Sequence, residues 1–287
     1  MGENEHMAQH SLQDMIIQAL ITDTLQLPAF PAVAMKLQKA LHDGDVRVAD
    51  LEKMIIGDQA LASQILRVAN SSFYKGLQRI NTIQKAIIRL GIRKVAMLAM
   101  AVSQRSLYLT RSPLLSHYME KLWQHAFASA LSSQWLAYHS GCKQQADDAF
   151  MAGLLHNIGQ LAILRVIDEL SATKQLTGAQ MQKNLVEELL DSNMHNAQGY
   201  VLMKRWNLPN EYCVVVRDHH KEPYDSDNML LVIVRLADQA CERLGIGLHA
   251  DPNIALAALP EAHTLGLGEI ALAEVEILLE DSVIIAG

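Results

Sequence analysis

Residues 114–139, LLSHYMEKLWQHAFASALSSQWLAYH, contain neither glycine nor proline and are predicted to form one long helix. Ser112-Pro113 precedes this stretch and Ser140-Gly141 follows it, and these residue types begin and end helices. Shorter segments with apolar residues three and four positions apart lie on both sides. We predict helices over these further ranges: 11–22, 31–42, 47–57, 59–70, 82–90, 92–109, 144–155, 157–174, 178–191, 195–206, 209–219, 227–245, 254–259 and 267–281. No long segment shows the alternation of a strand, so the sequence predicts an all-α fold.

The composition is that of a globular, helical protein. Of 287 residues, 50% are hydrophobic, 19% are charged and only 5% are aromatic, which supplies a core and favours helix over sheet. Cys142, Cys213 and Cys241 form no CxxC pair, which argues against a thiolate zinc site and suits a reducing compartment. Apolar runs are far shorter than the roughly 20 residues of a membrane span, and residues 1–7 do not resemble a secretory signal. We therefore expect a cytoplasmic protein without a membrane partner.

Charge is distributed unevenly along the chain. The formal net charge is −7, yet the stretch from Gln59 to Met119 contains nine basic residues and no Asp or Glu. A local basic surface of this kind suits an anionic ligand or an acidic partner, although the same residues would also serve as solvated helix faces. The sequence pI of about 5.9 argues against a nucleic-acid partner.

Histidines and one aspartate recur on successive predicted helices in the second half of the chain. They are His125, His156 beside Asn157, His195, the pair His219-His220, and Asp238. Neutral imidazole is a common metal ligand, and helical bundles form metal sites from side chains that point inward from facing helices. Each histidine taken singly also suits a hydrogen-bonded structural role. We set aside the histidines near the chain start, in a turn or near prolines, which are His6, His10, His42, His249 and His263.

Several motifs resemble those of the HDOD family, the HD-related output domains of bacterial signalling. In the first half they are LPAFP at 27–31, DQALA at 58–62, ILRVANS at 65–71 and the segment 83–91. In the second half they are AGLLHNIG at 152–159 and WNLP at 206–209, ahead of the histidine pair. The resemblance covers residues 25–245. It implies an HD-superfamily-like helical array with an N-terminal helical subdomain and a C-terminal helical extension.

The resemblance also divides the chain. Residues 1–24 form an N-terminal extension with one helix. The HDOD domain takes residues 25–246, with an N-terminal helical part at 25–112 and an HD-related part at 113–246. Residues 247–287 form the C-terminal helical extension. In its last helix the apolar residues are predicted to pack on the body of the protein or on a second copy; they are Leu272, Val275, Ile277, Leu278 and Leu279.

The HD superfamily consists of metal-dependent phosphohydrolases whose signature is His, His-Asp and Asp on successive helices. The resemblance implies a ligand set that includes the extra histidines of the two-metal, cyclic-dinucleotide-cleaving HD-GYP branch: His125, His156, Asn157, His195, His219, His220 and Asp238. Asn157 stands where the signature has its aspartate. An amide is neutral and cannot serve as an anionic bridge between two cations. We therefore predict a vestigial or weak metal site and no catalytic residue.

These features predict a non-catalytic signal-transduction output module that acts through a signalling protein partner and needs no cofactor. One alternative is a metal-dependent phosphohydrolase of phosphodiesterase type with a degenerate HD site, in which the nitrogen ligands would suit a divalent transition metal. A second alternative is a sensor of a nucleotide or another anion, such as a cyclic dinucleotide, held by the basic stretch and the cavity.

Overall fold

The structure is a computed structural model that describes residues 14–19, 31–44, 46–71, 74, 78–174, 176, 183–192 and 194–286. All regular structure in these residues is helical, which confirms the all-α prediction. In chain order the α-helices are α1 (14–19), α2 (Ala32–Asp43), α3 (Val48–Ile56), α4 (Gln59–Ala69), α5 (Ile83–Leu90), α6 (Ile92–Ser103), α7 (Pro113–His139), α8 (Ala146–Leu155), α9 (Ile158–Ala172), α10 (Lys183–Asp191), α11 (Met194–Arg205), α12 (Asn210–Asp218), α13 (Met229–Arg243), α14 (Pro260–Thr264) and α15 (Glu269–Ala286).

The long helix α7 lies at the centre of the core. It begins where predicted, with Pro113 in its first turn and the Ser112 hydroxyl accepting a hydrogen bond from the Leu115 N–H. Helices α8, α9, α13 and α15 all pack against it. Nearly every residue from Leu122 to Ala137 is therefore buried, including the polar residue His125.

Two of the N-terminal helices, α4 and α5, begin at side-chain caps. The Asp58 carboxylate accepts hydrogen bonds from two N–H groups at the start of α4, and the Thr82 hydroxyl accepts one from the Lys85 N–H at the start of α5. The Asn70 amide then joins the end of α4 to Ile80 by donating to its carbonyl and accepting from its N–H, at 2.8 and 2.9 Å. Local hydrogen bonds therefore close the turns that the polar residues predict.

Helix α15 packs on α7 and also contacts α4. The Trp123 indole donates to the Ala286 carbonyl at 3.1 Å, and the Gln64 amide donates to the Ile285 carbonyl. Of the apolar residues predicted to pack on the body or on a second copy, four are buried on the body: Leu272, Val275, Leu278 and Leu279. Ile277 is 59% exposed and faces outward. The division at residues 246–247 stays a prediction, and both parts contribute to one core.

Two predicted helices differ from the structure, and one short helix was not predicted. Helix α6 ends at Ser103, whose hydroxyl donates to the Met100 carbonyl, and a 3₁₀ turn replaces the rest of the predicted 92–109 helix. At 254–259 there is only a short 3₁₀ turn. The helix that was not predicted is α14, which begins at Pro260. A residue in the first turn has no intrahelical partner for its N–H, so proline is tolerated there. Parts of two other predicted helices, at 11–13, 20–22 and 178–182, lie outside the described residues, as do His6 and His10.

One segment, within the part of the chain that the structure describes, is long and apolar enough to cross a membrane. It is Lys143–Ala172, and 89% of its most apolar window is buried inside the fold. The segment comprises α8 and α9 with a turn at His156-Asn157 between them. The segment is part of the core of this helical array, and buried core helices of globular proteins commonly have this length and composition.

Candidate metal centre

Five of the seven residues of the predicted ligand set line one pocket of about 500 Å³, and the other two, His156 and His219, contact them from behind the pocket wall. Five helical segments supply them. Helix α7 carries His125, the turn between α8 and α9 carries His156 and Asn157, α11 carries His195, the end of α12 carries His219 and His220, and α13 carries Asp238. Residues that lie far apart in the sequence therefore come together in one site. That these residues bind a metal stays a prediction.

Two glycines let the helices approach closely enough to form this pocket. A Cβ on Gly159 would overlap the carbonyl oxygen of His195 and lie 2.8 Å from the Gly199 nitrogen. A Cβ on Gly153 would lie 2.6 Å from the Ser129 carbonyl oxygen of α7. The glycines on either side of the His156-Asn157 turn therefore bring this turn against α7 and α11.

The first ligand group consists of His125, His156 and Asp238. Asp238 Oδ1 lies 3.2 Å from His125 Nε2 and 3.4 Å from His156 Nε2, and the two Nε2 atoms are 3.1 Å apart. Both imidazoles are buried. Two nitrogens and a carboxylate oxygen therefore face one another at distances that suit the first ligands of a cation.

The second ligand group consists of His195, His219 and His220. Their nearest ring nitrogens lie within 4.8 Å of one another. His195 Nε2 is buried and has no hydrogen-bond partner among the residues that the structure describes. Such a nitrogen carries a free lone pair at a cost in stability, and a ligand or water in the pocket would remove that cost.

Backbone carbonyls hold four of the five imidazoles in a fixed orientation. Nδ1 donates to Ile246 O in His125, to Gly153 O in His156, to Ser192 O in His195 and to Val216 O in His219, at 2.8 to 2.9 Å. A proton on Nδ1 leaves Nε2 as an acceptor, which is the arrangement that metal-binding histidines use. In this tautomer the Nε2 lone pairs of His125 and His156 face each other, so a cation or a shared proton between them is favoured.

Asn157 lies between the two ligand groups. Its Nδ2 donates to His125 Nε2 at 3.1 Å, and its Oδ1 is 3.1 Å from His219 Nε2. A side chain at this position touches both groups at once. The amide adds no charge to either group.

Burial and hydrogen bonding set the charges in the pocket. Burial raises the pKa of Asp238, but a proton shared with the Nε2 atoms of His125 and His156, 3.2 and 3.4 Å from its Oδ1, outweighs burial and holds that pKa well below its usual value. Burial lowers the pKa of His195 to about 4 and places the pKa of His219 well below its usual value. Burial also lowers the pKa of His220, so the second group is neutral near pH 7 and has lone pairs available for ligation.

The pocket wall also contains residues that the sequence did not indicate. They are Gln160, Glu242 and His249, together with the apolar Leu122, Leu190, Ile246 and Leu248. We set His249 aside from the site, and this was wrong, because the loop after α13 places it in the pocket wall. Glu242 follows Asp238 by one helical turn, and that spacing would have found it.

The pocket is acidic in its fixed charges. Asp238 and Glu242 line it, and none of its described lining residues is a lysine or an arginine. Arg235 lies behind the site, where it donates to the His219 carbonyl at 2.7 Å and pairs with the buried Glu261 at 2.7 Å. Its charge is neutralised there, so it supports the His219-His220 turn and does not face the pocket.

The donor set fits a divalent transition metal. It combines imidazole nitrogens with one carboxylate, and backbone carbonyls orient the imidazoles. The first group would hold a cation through His125, His156 and Asp238, and the second group through its three histidines. The buried, partnerless nitrogen of His195 is the observation that favours an added ligand.

An all-helical array with this His, His-Asn, Asp order defines a protein of HD type. The profile of the HDOD domain matches residues 27–222, and the chain belongs to the HDOD family. This confirms the resemblance that the motifs indicated. An uncharacterized protein of Treponema pallidum (strain Nichols) is 28% identical over 214 residues, which are 72% of this chain, and this chain spans about 40% of the length of that relative.

Solved structures show the same fold. An HDOD domain protein of unknown function from Geobacter sulfurreducens superposes with a TM-score of 0.72, at 21% identity, covering 94% of this chain and 96% of that one. A protein of Shewanella amazonensis SB2B, provisionally named a metal-dependent phosphohydrolase, gives a TM-score of 0.71 at 23% identity, covering 96% and 99%. A protein of Marinobacter aquaeolei VT8, provisionally named a signal transduction protein, gives 0.62 at 24% identity, covering 96% and 65%. At these identities the likeness establishes the fold alone.

Proposed function

We propose that this chain is a non-catalytic signalling module that passes its signal to a protein partner. The observation that carries the proposal is the position of Asn157. A carboxylate between the two ligand groups would supply negative charge to cations on both sides, whereas the amide supplies none. The chain would thus keep the HD scaffold for recognition without the charge that two-cation hydrolysis requires.

The charge of the pocket supports the same proposal. A phosphodiester entering it would meet the carboxylates of Asp238 and Glu242 and no described lysine or arginine. Since like charges repel at short range in a partly buried site, binding of the substrate would depend wholly on added cations. The same argument disfavours this pocket as an anion sensor, so an anionic ligand would have to use the basic stretch of residues 59–119 instead.

A metal-dependent phosphohydrolase is the second candidate, and the carbonyl contacts of the histidines favour it. Four imidazoles keep Nε2 for the two ligand groups because their Nδ1 atoms donate to backbone carbonyls. When bound, a divalent cation supplies positive charge that neutralises phosphate and polarises water. On this candidate Asn157 would orient His125 by its hydrogen bond, and Asp238 would hold charge in the first group. The Shewanella protein has the same fold and is provisionally named for this activity.

Hydrolysis and metal content separate the two candidates. The full chain, purified without chelator, is assayed with bis(p-nitrophenyl) phosphate and with a cyclic dinucleotide in the presence of Mn²⁺, and Asp238→Ala serves as the matched control. We expect the wild type to release no more product than Asp238→Ala. Turnover that Asp238→Ala abolishes would overturn the proposal and establish the second candidate. Elemental analysis showing less than about a tenth of an equivalent of transition metal would end the second candidate.

A further inference from the structure

Helix α15 exposes three isoleucines on one face. Ile270, Ile277 and Ile284 are 81%, 59% and 74% exposed. They are seven residues apart, which is close to two helical turns, so they form a line about 21 Å long on the side of α15 away from the core. We call these three residues the isoleucine stripe. The opposite face of α15 already packs on α7, so packing among the described residues does not account for the stripe.

Acidic residues of α15 border the isoleucine stripe, and two arginines, Arg67 and Arg79, lie near its last residue, Ile284. Glu269, Glu274 and Glu280 are exposed, and Asp281 is partly exposed. Glu276 is the remaining acid of α15 and pairs with Arg243 at 2.8 Å. Helix α15 contains no lysine or arginine. With the stripe at heptad position a, Glu274 and Asp281 occupy e, Glu269 and Glu276 occupy g, and Glu280 occupies d. Positions e and g set partner choice between paired helices.

The charges beside the isoleucine stripe indicate which kind of molecule could bind there: a second copy of the chain, a membrane, a nucleic acid or another protein. In an antiparallel pair of two α15 helices centred on Ile277, Ile270 would meet Ile284 of the second copy, but Glu274 would meet Glu280. A parallel pair would bring acids at e and g together. Both arrangements place like charges opposite each other, which is destabilising. Anionic membranes and nucleic acids are repelled for the same reason.

We propose that the isoleucine stripe docks an amphipathic helix of a partner protein that has apolar side chains at heptad spacing and Lys or Arg beside them. The inference rests on the proposed function, because it names the class of partner through which the module acts. Apolar contact with the three isoleucines supplies affinity, and the acidic border selects a basic partner. The complex thus uses the helix-in-groove mode of recognition.

The test uses two synthetic peptides of about three heptads that carry a fluorophore. One has Leu at a and d with Lys at e and g, and the other has Glu at e and g. Fluorescence anisotropy measures their binding to the full chain and to Ile277→Glu and Ile88→Glu. Ile88 lies on α5 and is 79% exposed, so its substitution is the matched control. Circular dichroism melts verify that both variants fold.

We expect the lysine peptide to bind the wild type and Ile88→Glu equally, and Ile277→Glu at least about tenfold more weakly, because one buried isoleucine contributes that much. The added charge in Ile277→Glu would strengthen purely electrostatic binding, so a weaker complex identifies the apolar contact. The glutamate peptide is expected not to bind. Equal binding of the lysine peptide to wild type and Ile277→Glu would overturn the proposal. A dimer of the purified chain in sedimentation that Ile277→Glu dissociates would overturn it in favour of a second copy. No phosphodiester enters this test, so hydrolysis by the chain would refute the proposed function without deciding the docking result.

Discussion

Replacing Asn157 with Asp would place one negative charge where the two ligand groups meet. The side chain keeps its shape, and its oxygens would take the positions of the amide atoms that lie 3.1 Å from His125 Nε2 and from His219 Nε2. Without metal, the new carboxylate lies in a pocket that already holds Asp238, and it loses the N–H that the amide donates. We expect the metal-free variant to be less stable by about 1–3 kcal/mol.

When a divalent cation is bound, Asn157→Asp is expected to stabilise the site instead of destabilising it. Two unit charges about 4 Å apart attract by about 4 kcal/mol at the effective dielectric of a protein surface. Repulsion from Asp238 and desolvation of the carboxylate offset part of this attraction. We expect a net gain of about 1.4–3 kcal/mol in metal binding, which is roughly a 10- to 150-fold increase in affinity.

Calorimetric titration of Zn²⁺ or Mn²⁺ into chelator-stripped protein measures this gain, and thermal unfolding with and without metal measures the stability. Asn70→Asp is the matched control. Asn70 donates to the Leu66 and Ile80 carbonyls at 2.8 Å, away from the pocket, so this variant should lose stability and keep the wild-type metal affinity. If Asn157→Asp binds metal within about threefold of the wild type, the electrostatic reasoning about this position is wrong.

Three further predictions concern the scaffold and the pocket charge. Gly159→Ala places a Cβ against a backbone oxygen of α11, so urea unfolding should show a loss of about 3 kcal/mol or more, whereas Gly268→Ala, with open space around it, should stay within about 0.5 kcal/mol. Arg235→Met leaves the buried Glu261 without its 2.7 Å partner and should cost about 3–5 kcal/mol; Arg243→Met, at a more exposed pair, should cost about 1 kcal/mol or less, and similar losses in both variants would contradict this. Calorimetric titration with a cyclic dinucleotide to high micromolar concentration should give the same heat with the wild type and with Glu242→Gln, since the described pocket lining has no basic side chain. Saturable binding that this substitution alters would show that the pocket accepts anions.

Local sequence signals predicted most helices because the interactions that start and stop a helix lie within a few residues. Ser112-Pro113 and Asp58 cap their helices as their residue types indicate. The prediction failed at 92–109, where the Ser103 hydroxyl bonds to a carbonyl of its own helix. It also missed the short helix α14, which begins at Pro260, although proline suits the first turn of a helix.

The family resemblance located the seven ligand-set residues but could not find their neighbours. The spacing between Asp238 and Glu242 on α13, one helical turn, would have indicated Glu242. His249 had no such signal, because it reaches the pocket only through the loop after α13, in which Ile246 accepts the hydrogen bond from His125. The outward orientation of Ile277 was likewise undecided until α15 was seen to bury its other face on α7.

Helical class, approximate helix bounds and the order of candidate ligands follow from the chain alone, because periodicity, capping and residue identity are local properties. Long-range packing alone decides that Nε2 of His125 and His156 lie 3.1 Å apart, that Asn157 touches both ligand groups, and that Arg235 turns away from the pocket. These features join residues dozens of positions apart along the chain. Their geometry depends on how closely α7, α9, α11 and α13 approach, which the summed packing of the whole core determines.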